Sequence, residues 1–222
     1  MSARPPLALA ILISGRGSNM SAIVHACREG RIAARPAVVI SERAGAAGLA
    51  HARELGVDTA VLRSDPRDDP ALEQALTAEL ATRGVGLIAL AGFMRVLPAS
   101  FVARYLGRIL NVHPALLPAY RGLHTHRRVL AAGDREHGAS VHFVTAELDA
   151  GPVVLQSRVT VQDGDSEATL AARVLATEHI IYPRALGWFA VGRLTWQDGA
   201  AWLDGRRLEA PVVEDFRASD VC

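Results

Sequence analysis

At 222 residues, half of them hydrophobic and 21% charged, the chain suffices for one well-buried domain and demands no second. A formal charge of +1 with scattered arginines excludes a nucleic-acid grip built on a basic face. The apolar opening PPLALAILIS is too short to span a bilayer and lacks the charged leader and cleavage site of a signal peptide. Two cysteines are too few for a disulfide scaffold, so a reducing, cytoplasmic setting is expected, with no membrane partner.

Taken in chain order, apolar runs alternate with helical spacing. LALAILIS (7–14) reads as a buried strand, Ser18 to Arg28 as a helix stopping at Gly30, and PAVVIS (36–41) as a second strand. A helix over 45–55 closed by Gly56, a short strand TAVLR (59–63), a helix over 70–84 and an apolar strand GLIALAG (86–92) follow. PASFVARYLG (98–107) gives a short helix, RILNVH (108–113) a strand and THRRVLAAG (125–133) a helix. Apolar strands in alternation with helices predict an α/β fold: an open, mainly parallel twisted sheet with helices on both faces. The last third is β-rich at ASVHFVT (139–145) and VVLQSRVTV (153–161), on either side of the loop AELDAGP. A long helix from about Ser166 runs past Tyr182, where Pro183 is expected to bend or stop it. Two Asp-Gly steps in 193–208 predict a small C-terminal hairpin, and residues 211–222 read as a frayed tail.

SGRGSNM (14–20) follows the first strand and opens the first helix, the context in which a glycine motif acquires meaning. Gly15 and Gly17 permit a tight turn, and free N–H groups at the helix start favour an anion such as phosphate. Ser18 and Asn19 are placed to cap that helix or to donate to the anion. A dinucleotide fingerprint would want glycine at position 20, where Met20 stands, although Glu42 mimics its ribose-binding acid. A P-loop would need Gly-Lys-Ser/Thr, which is missing. A phosphomonoester site is therefore the preferred functional reading, and a plain capped turn the alternative.

In NVHPALLP (111–118), Asn111 and His113 lie two apart on a strand and face the same side. Pro114 biases His113 toward an extended conformation and ends the strand, so the pair sits at a carboxyl end, where open parallel sheets bind ligands. An amide donor beside an imidazole can stabilise an oxyanion while the imidazole moves protons. Asp149, in the Gly/Pro-bounded loop 146–152, is the preferred carboxylate partner for that imidazole, ahead of Glu147. No serine or cysteine stands where an activated nucleophile should, so direct transfer is expected. His124, His126, His137 and His142 tempt toward a metal, but no ligand spacing supports one and no metal is expected. GFMRVLP (92–98), at the mouth of the fourth strand, offers main chain to a flat heterocycle or serves simply as a connecting loop. Leu117–Pro118 is a candidate cis bond.

Together, SGRGSNM, LAGFMRVL, NVHPALLP, GLHTH, HGASVHFVTAELDAGPVVLQ and EHIIYP, in one order over about residues 8 to 208, closely resemble the phosphoribosylglycinamide formyltransferases, the folate-dependent formyl-transfer enzymes of purine synthesis. The resemblance implies transfer of a formyl group from 10-formyltetrahydrofolate to the amine of glycinamide ribonucleotide. It implies one domain, with a phosphate-binding half over about 1–105 and a catalytic, folate-contacting half over about 106–210. Position by position, it makes His113 the proton-transfer residue, Asn111 the oxyanion stabiliser and a folate contact, and Asp149 the group that holds His113 protonated and relays a proton through water. Gly17, Ser18 and Asn19 match the loop for the substrate phosphate, and Glu178 the acid at the glycinamide end. Met94, Arg95, Val96 and Leu97 match the loop that cradles the pterin, and Arg67, with Arg63 close by, a folate-contacting arginine. Two positions depart from the family: Arg121 replaces a proline before Gly122, and Ala115 replaces a common serine. A formyltetrahydrofolate hydrolase is the nearest rival, disfavoured because such enzymes usually carry an additional N-terminal domain. Methionyl-tRNA formyltransferases share the Asn-x-His signature but need a further RNA-binding domain. A non-catalytic nucleotide-binding module explains SGRGSN and leaves Asn111, His113 and Asp149 without a purpose. The sequence does not decide between monomer and homodimer.

Overall fold

The first apolar run forms β1 (Leu7–Ile13), and the computed structural model, which describes residues 6–62 and 69–217, places it inside an eight-stranded sheet. Its side chains divide by the period of two. Leu9, Ile11 and Ile13 enter one core, Ala10 and Leu12 the other, and all five are fully buried.

From β1 the chain alternates through α1 (Ser18–Arg28), β2 (Ala34–Ser41), α2 (Ala47–Glu54), β3 (Thr59–Val61), α3 (Asp69–Thr82), β4 (Leu87–Leu90), α4 (Ala99–Arg104) and β5 (Ile109–His113). These five strands lie in the order β3-β2-β1-β4-β5, every neighbouring pair parallel. After α5 (Thr125–Ala132), strand β6 (Glu136–Phe143) pairs antiparallel with β5 and with β7 (Val153–Thr160). The long α6 (Glu167–Ala190) follows, opened by a capping box in which Ser166 and Thr169 satisfy each other's backbone N–H. On one face of the sheet Ile23 of α1, Leu49 of α2, Val129 of α5 and Tyr182 of α6 build the larger core. On the other face Leu72, Leu76 and Leu80 of α3 meet Phe101 of α4. Each such fully buried large side chain contributes about 1.5–3 kcal/mol.

Two expectations change, and the hairpin is realised with one more strand. Pro183 does not stop α6: it removes one helix hydrogen bond, but Ile181, Tyr182, Ala185 and Leu186 around it are fully buried. Burial on the sheet outweighs the local defect. The expected hairpin is a three-stranded antiparallel sheet of β8 (Leu194–Gln197), β9 (Ala200–Leu203) and β10 (Arg206–Arg207). The supposed frayed tail contains β11 (Val212–Phe216), which pairs parallel with β7 at the edge of the main sheet. The unpaired backbone of β7 supplies the template, and Arg158 fastens the strand with two bonds to Asp215, at 2.6 and 3.1 Å.

The chain leaves β1 toward β2 and β3 on one side, then returns to β4 and β5 on the other. A crevice opens outside the carboxyl ends of β1 and β4 at such a reversal. No helix among the described residues is long and apolar enough to cross a membrane.

Candidate active site

Two loops meet at that crevice, and Ser14 joins them. Its backbone N–H donates to Gly92 O at 3.1 Å, and its hydroxyl accepts from the Met94 N–H at 2.7 Å. The glycine loop and the 92–97 loop are thus one rim, a link the sequence reading missed. Gly17 is the N-cap of α1 with φ +80, and a Cβ there would meet Gly48 Cα at 3.0 Å. Both the left-handed backbone and the close approach of α2 require glycine. No side chain caps α1, so its first N–H groups are available to a ligand. Exposed Arg16 and Ser18 open onto a groove of about 470 Å³ that also carries His25, His51 and His179.

Asn19 does something the sequence did not suggest. It is buried, and its Nδ2 donates to Glu178 Oε2 of α6 at 2.6 Å. Burial pushes the Glu178 carboxyl up to about 7, against the smaller opposing pull of the Asn19 bond. Glu178 therefore lies directly behind the glycine loop.

At the end of β5, Asn111 is the one half-exposed residue of an otherwise buried strand, while His113 is buried. His113 Nε2–H donates to Tyr120 O at 2.9 Å, and Nδ1 faces Asp149 Oδ2 at 3.4 Å. Both ring nitrogens thus meet acceptors. Asp149 has φ +49, a strained setting that Asp tolerates better than most residues, and its Oδ2 accepts from Gly122 N–H at 3.0 Å. The chosen partner of His113 is in contact, and Glu147 instead pairs with Arg121 at 2.7 Å. Through that pair, Arg121 ties the 120–124 loop to the loop bearing Asp149. Below them, Ser140 donates to Ala115 O at 2.6 Å and accepts from Leu117 N and Gln156 Nε2 at 3.0 and 2.9 Å. This buried network fixes the turn after His113, and the Leu117–Pro118 bond is cis.

Asn111 is linked toward Asp149 through His142. Its Nδ2 lies 3.1 Å from His142 Nε2, and that nitrogen lies 3.7 Å from Asp149 Oδ1. His142 is a residue to which sequence reasoning gave no role, having weighed it only as a metal ligand and set that aside. Its only signal is the β5–β6 register, which sets Asn111 opposite His142. The other histidines separate from it: His126 Nδ1 lies 2.9 Å from His137 Nε2, and burial lowers both rings, His137 to about 4. Among the described residues no group of three or more His, Cys, Asp or Glu is arranged to hold a metal.

In the 94–97 loop, Met94 and Val96 are exposed, Leu97 enters the α3–α4 core, and Arg95 lies 3.7 Å from Asp69. Two apolar side chains of this loop are thus exposed while two anchor it. Arg67 and Arg63 lie outside the described residues.

The Asn-His strand end, the aspartate loop and the glycine loop make a candidate group-transfer site, and the chain belongs to the formyl transferase family, whose model matches residues 7–186. A phosphoribosylglycinamide formyltransferase of Escherichia coli (strain K12) is 50% identical over 201 residues, 90% of this chain and 95% of the relative. The solved phosphoribosylglycinamide formyltransferase of Coxiella burnetii is 44% identical with a TM-score of 0.89, covering 94% of this chain and 99% of that one. A formyltetrahydrofolate deformylase from Pseudomonas syringae pv. tomato shares the fold alone, at 22% identity and a TM-score of 0.82 over 89% of this chain and 66% of its own.

Proposed function

We propose that the chain transfers the formyl group of 10-formyltetrahydrofolate to the amine of glycinamide ribonucleotide, a step of purine synthesis, by direct attack and without a metal. One observation carries the reading: the His113–Asp149 pair stands beside Asn111 at the end of β5, on the same carboxyl side of the parallel strands β1, β4 and β5 as an uncapped helix start that suits a phosphate. The half identity to the E. coli transferase, against the distant likeness to a deformylase, supports the amine rather than water as acceptor.

In this reading the N–H groups at Gly17 and Ser18 hold the acceptor's phosphate. Asn19 sets Glu178 toward its glycinamide end. A carboxyl poised near neutrality is suited to take the proton of an incoming amine. The exposed Met94 and Val96 and the main chain of 94–97 receive the pterin. As the amine attacks the formyl carbon, negative charge grows on the formyl oxygen, and Asn111 and His113 stabilise it. Both ring nitrogens of His113 face protein acceptors, so donating to substrate requires one contact to be exchanged; the 3.4 Å contact to Asp149 is the looser. The departing N10 takes its proton through water held at Asp149. The partners are small molecules, neither nucleic acid nor membrane, and the setting is cytoplasmic.

Incubation of the protein with 10-formyltetrahydrofolate, with and without glycinamide ribonucleotide, tests the proposal. Loss of the formyl group is expected only with the amine present. Consumption without it would make the chain a hydrolase, and no consumption in either arm would leave a binding module.

A further inference from the structure

His142 is almost completely buried, and its Nδ1 lies 2.9 Å from Phe143 O. A carbonyl only accepts, so Nδ1 carries the hydrogen. Burial keeps this ring neutral, holding it down to about 4, which leaves Nε2 bare as an acceptor. The group 3.1 Å from that bare nitrogen is the Asn111 side-chain amide. Were the amide turned over, its oxygen would face a second acceptor across 3.1 Å with no hydrogen between them, at a buried strand pair where an unmade bond costs about 1–3 kcal/mol.

We propose that His142, a tautomer fixed by the Phe143 carbonyl, sets which way the Asn111 amide faces, and so acts as the positioning residue for the oxyanion donor. An amide nitrogen carries two hydrogens. One is held by His142 Nε2, and the other remains for the formyl oxygen at the half-exposed side of β5. The β5–β6 register makes the pairing possible, because it places the two residues directly opposite each other. The 3.7 Å gap to Asp149 Oδ1 is too long for a hydrogen bond, so His142 acts on Asn111 rather than through the carboxylate. This inference rests on the formyl-transfer reading above.

A double-mutant cycle on formyl transfer tests it, with wild-type transfer measured first. Absence of transfer by the wild type would refute the reaction, not the positioning. His142→Leu keeps a comparable apolar volume and removes the acceptor. It is expected to lower kcat about tenfold or more, within the 10²–10³ that loss of an oxyanion donor typically costs, with KM for both substrates nearly unchanged. In an Asn111→Ala background the same change is expected to cost less than about twofold, because nothing remains to position. An equal loss in both backgrounds, or none in the wild type, overturns the inference. His142→Gln offers an oxygen acceptor to the same amide and is expected to recover most of the lost rate, including where the leucine variant does not fold. A glutamine variant that folds and is as impaired as Asn111→Ala counts against the proposal. Independently of activity, long-range proton–nitrogen NMR of the wild type is expected to show His142 protonated at Nδ1 and bare at Nε2. The opposite tautomer would overturn the assignment.

Discussion

Glu178→Gln separates the stability of this fold from its chemistry. The carboxyl is 6% exposed and held at about 7 by burial, against an ordinary value of 4.5. Below pH 4.5 folded and unfolded chains both hold the proton. Between 4.5 and about 7 the unfolded chain has released it and the folded chain has not, so stability falls as pH rises. Above about 7 both have released it, and the cost stays at its full value. At about 1.4 kcal/mol per pH unit, the gap amounts to about 3 kcal/mol. Glutamine has no proton to lose and keeps an oxygen for the Asn19 bond. The variant is expected to match the wild type within about 1 kcal/mol at pH 5 and to exceed it by up to about 3 kcal/mol at pH 8. Urea unfolding at pH 5, 6, 7 and 8 measures the difference. The acid-side losses from His137 and His142, whose folded values near 4 lie below the ordinary 6.5, occur in both chains and cancel. A pH-independent difference, or a variant less stable at pH 8, would refute the reasoning. The gain in stability is expected to come with lower turnover, as is common where a strained group serves function.

His113→Ala and Asp149→Asn are each expected to lower turnover by about 10²–10⁴ while calorimetry still detects substrate binding. Near-normal activity in Asp149→Asn would remove the aspartate from the mechanism. Tyr182→Phe deprives the Leu90 and Leu110 carbonyls of a buried donor at 3.0 and 2.9 Å, and should cost about 1–3 kcal/mol in urea unfolding. An unchanged midpoint would show those carbonyls to be satisfied otherwise. Gly151→Ala would put a Cβ 1.9 Å from Phe143 O, beside the loop carrying Asp149. It is expected to cost at least about 1–3 kcal/mol and to reduce kcat; unaltered kinetics would mean the loop accommodates the methyl without moving the carboxylate.

The chain's local pattern was enough to read the alternation of β1 through β5 with their helices, because continuous apolar strands need cover on both faces whatever their neighbours. It also sufficed to put Asn111 and His113 on one side of a strand end, since a period of two is a local property, and to mark Gly17 as a turn. Edges and partnerships were not legible. Whether VVEDF frays or pairs depends on a free edge of β7, far away in sequence, and whether Pro183 breaks α6 depends on what is buried around it. His142 read as a stray histidine, because only the antiparallel register of β6 on β5 sets it against Asn111. Asn19 read as a helix cap or a donor to a bound anion, and only the tertiary structure brings Glu178 of α6 to it across 159 positions. Local stereochemistry therefore determined the alternating elements of the parallel half and the placement of the candidate Asn111–His113 pair. Long-range burial and strand register decided their hydrogen-bond partners, because those energies arise only when distant segments share one dehydrated interior.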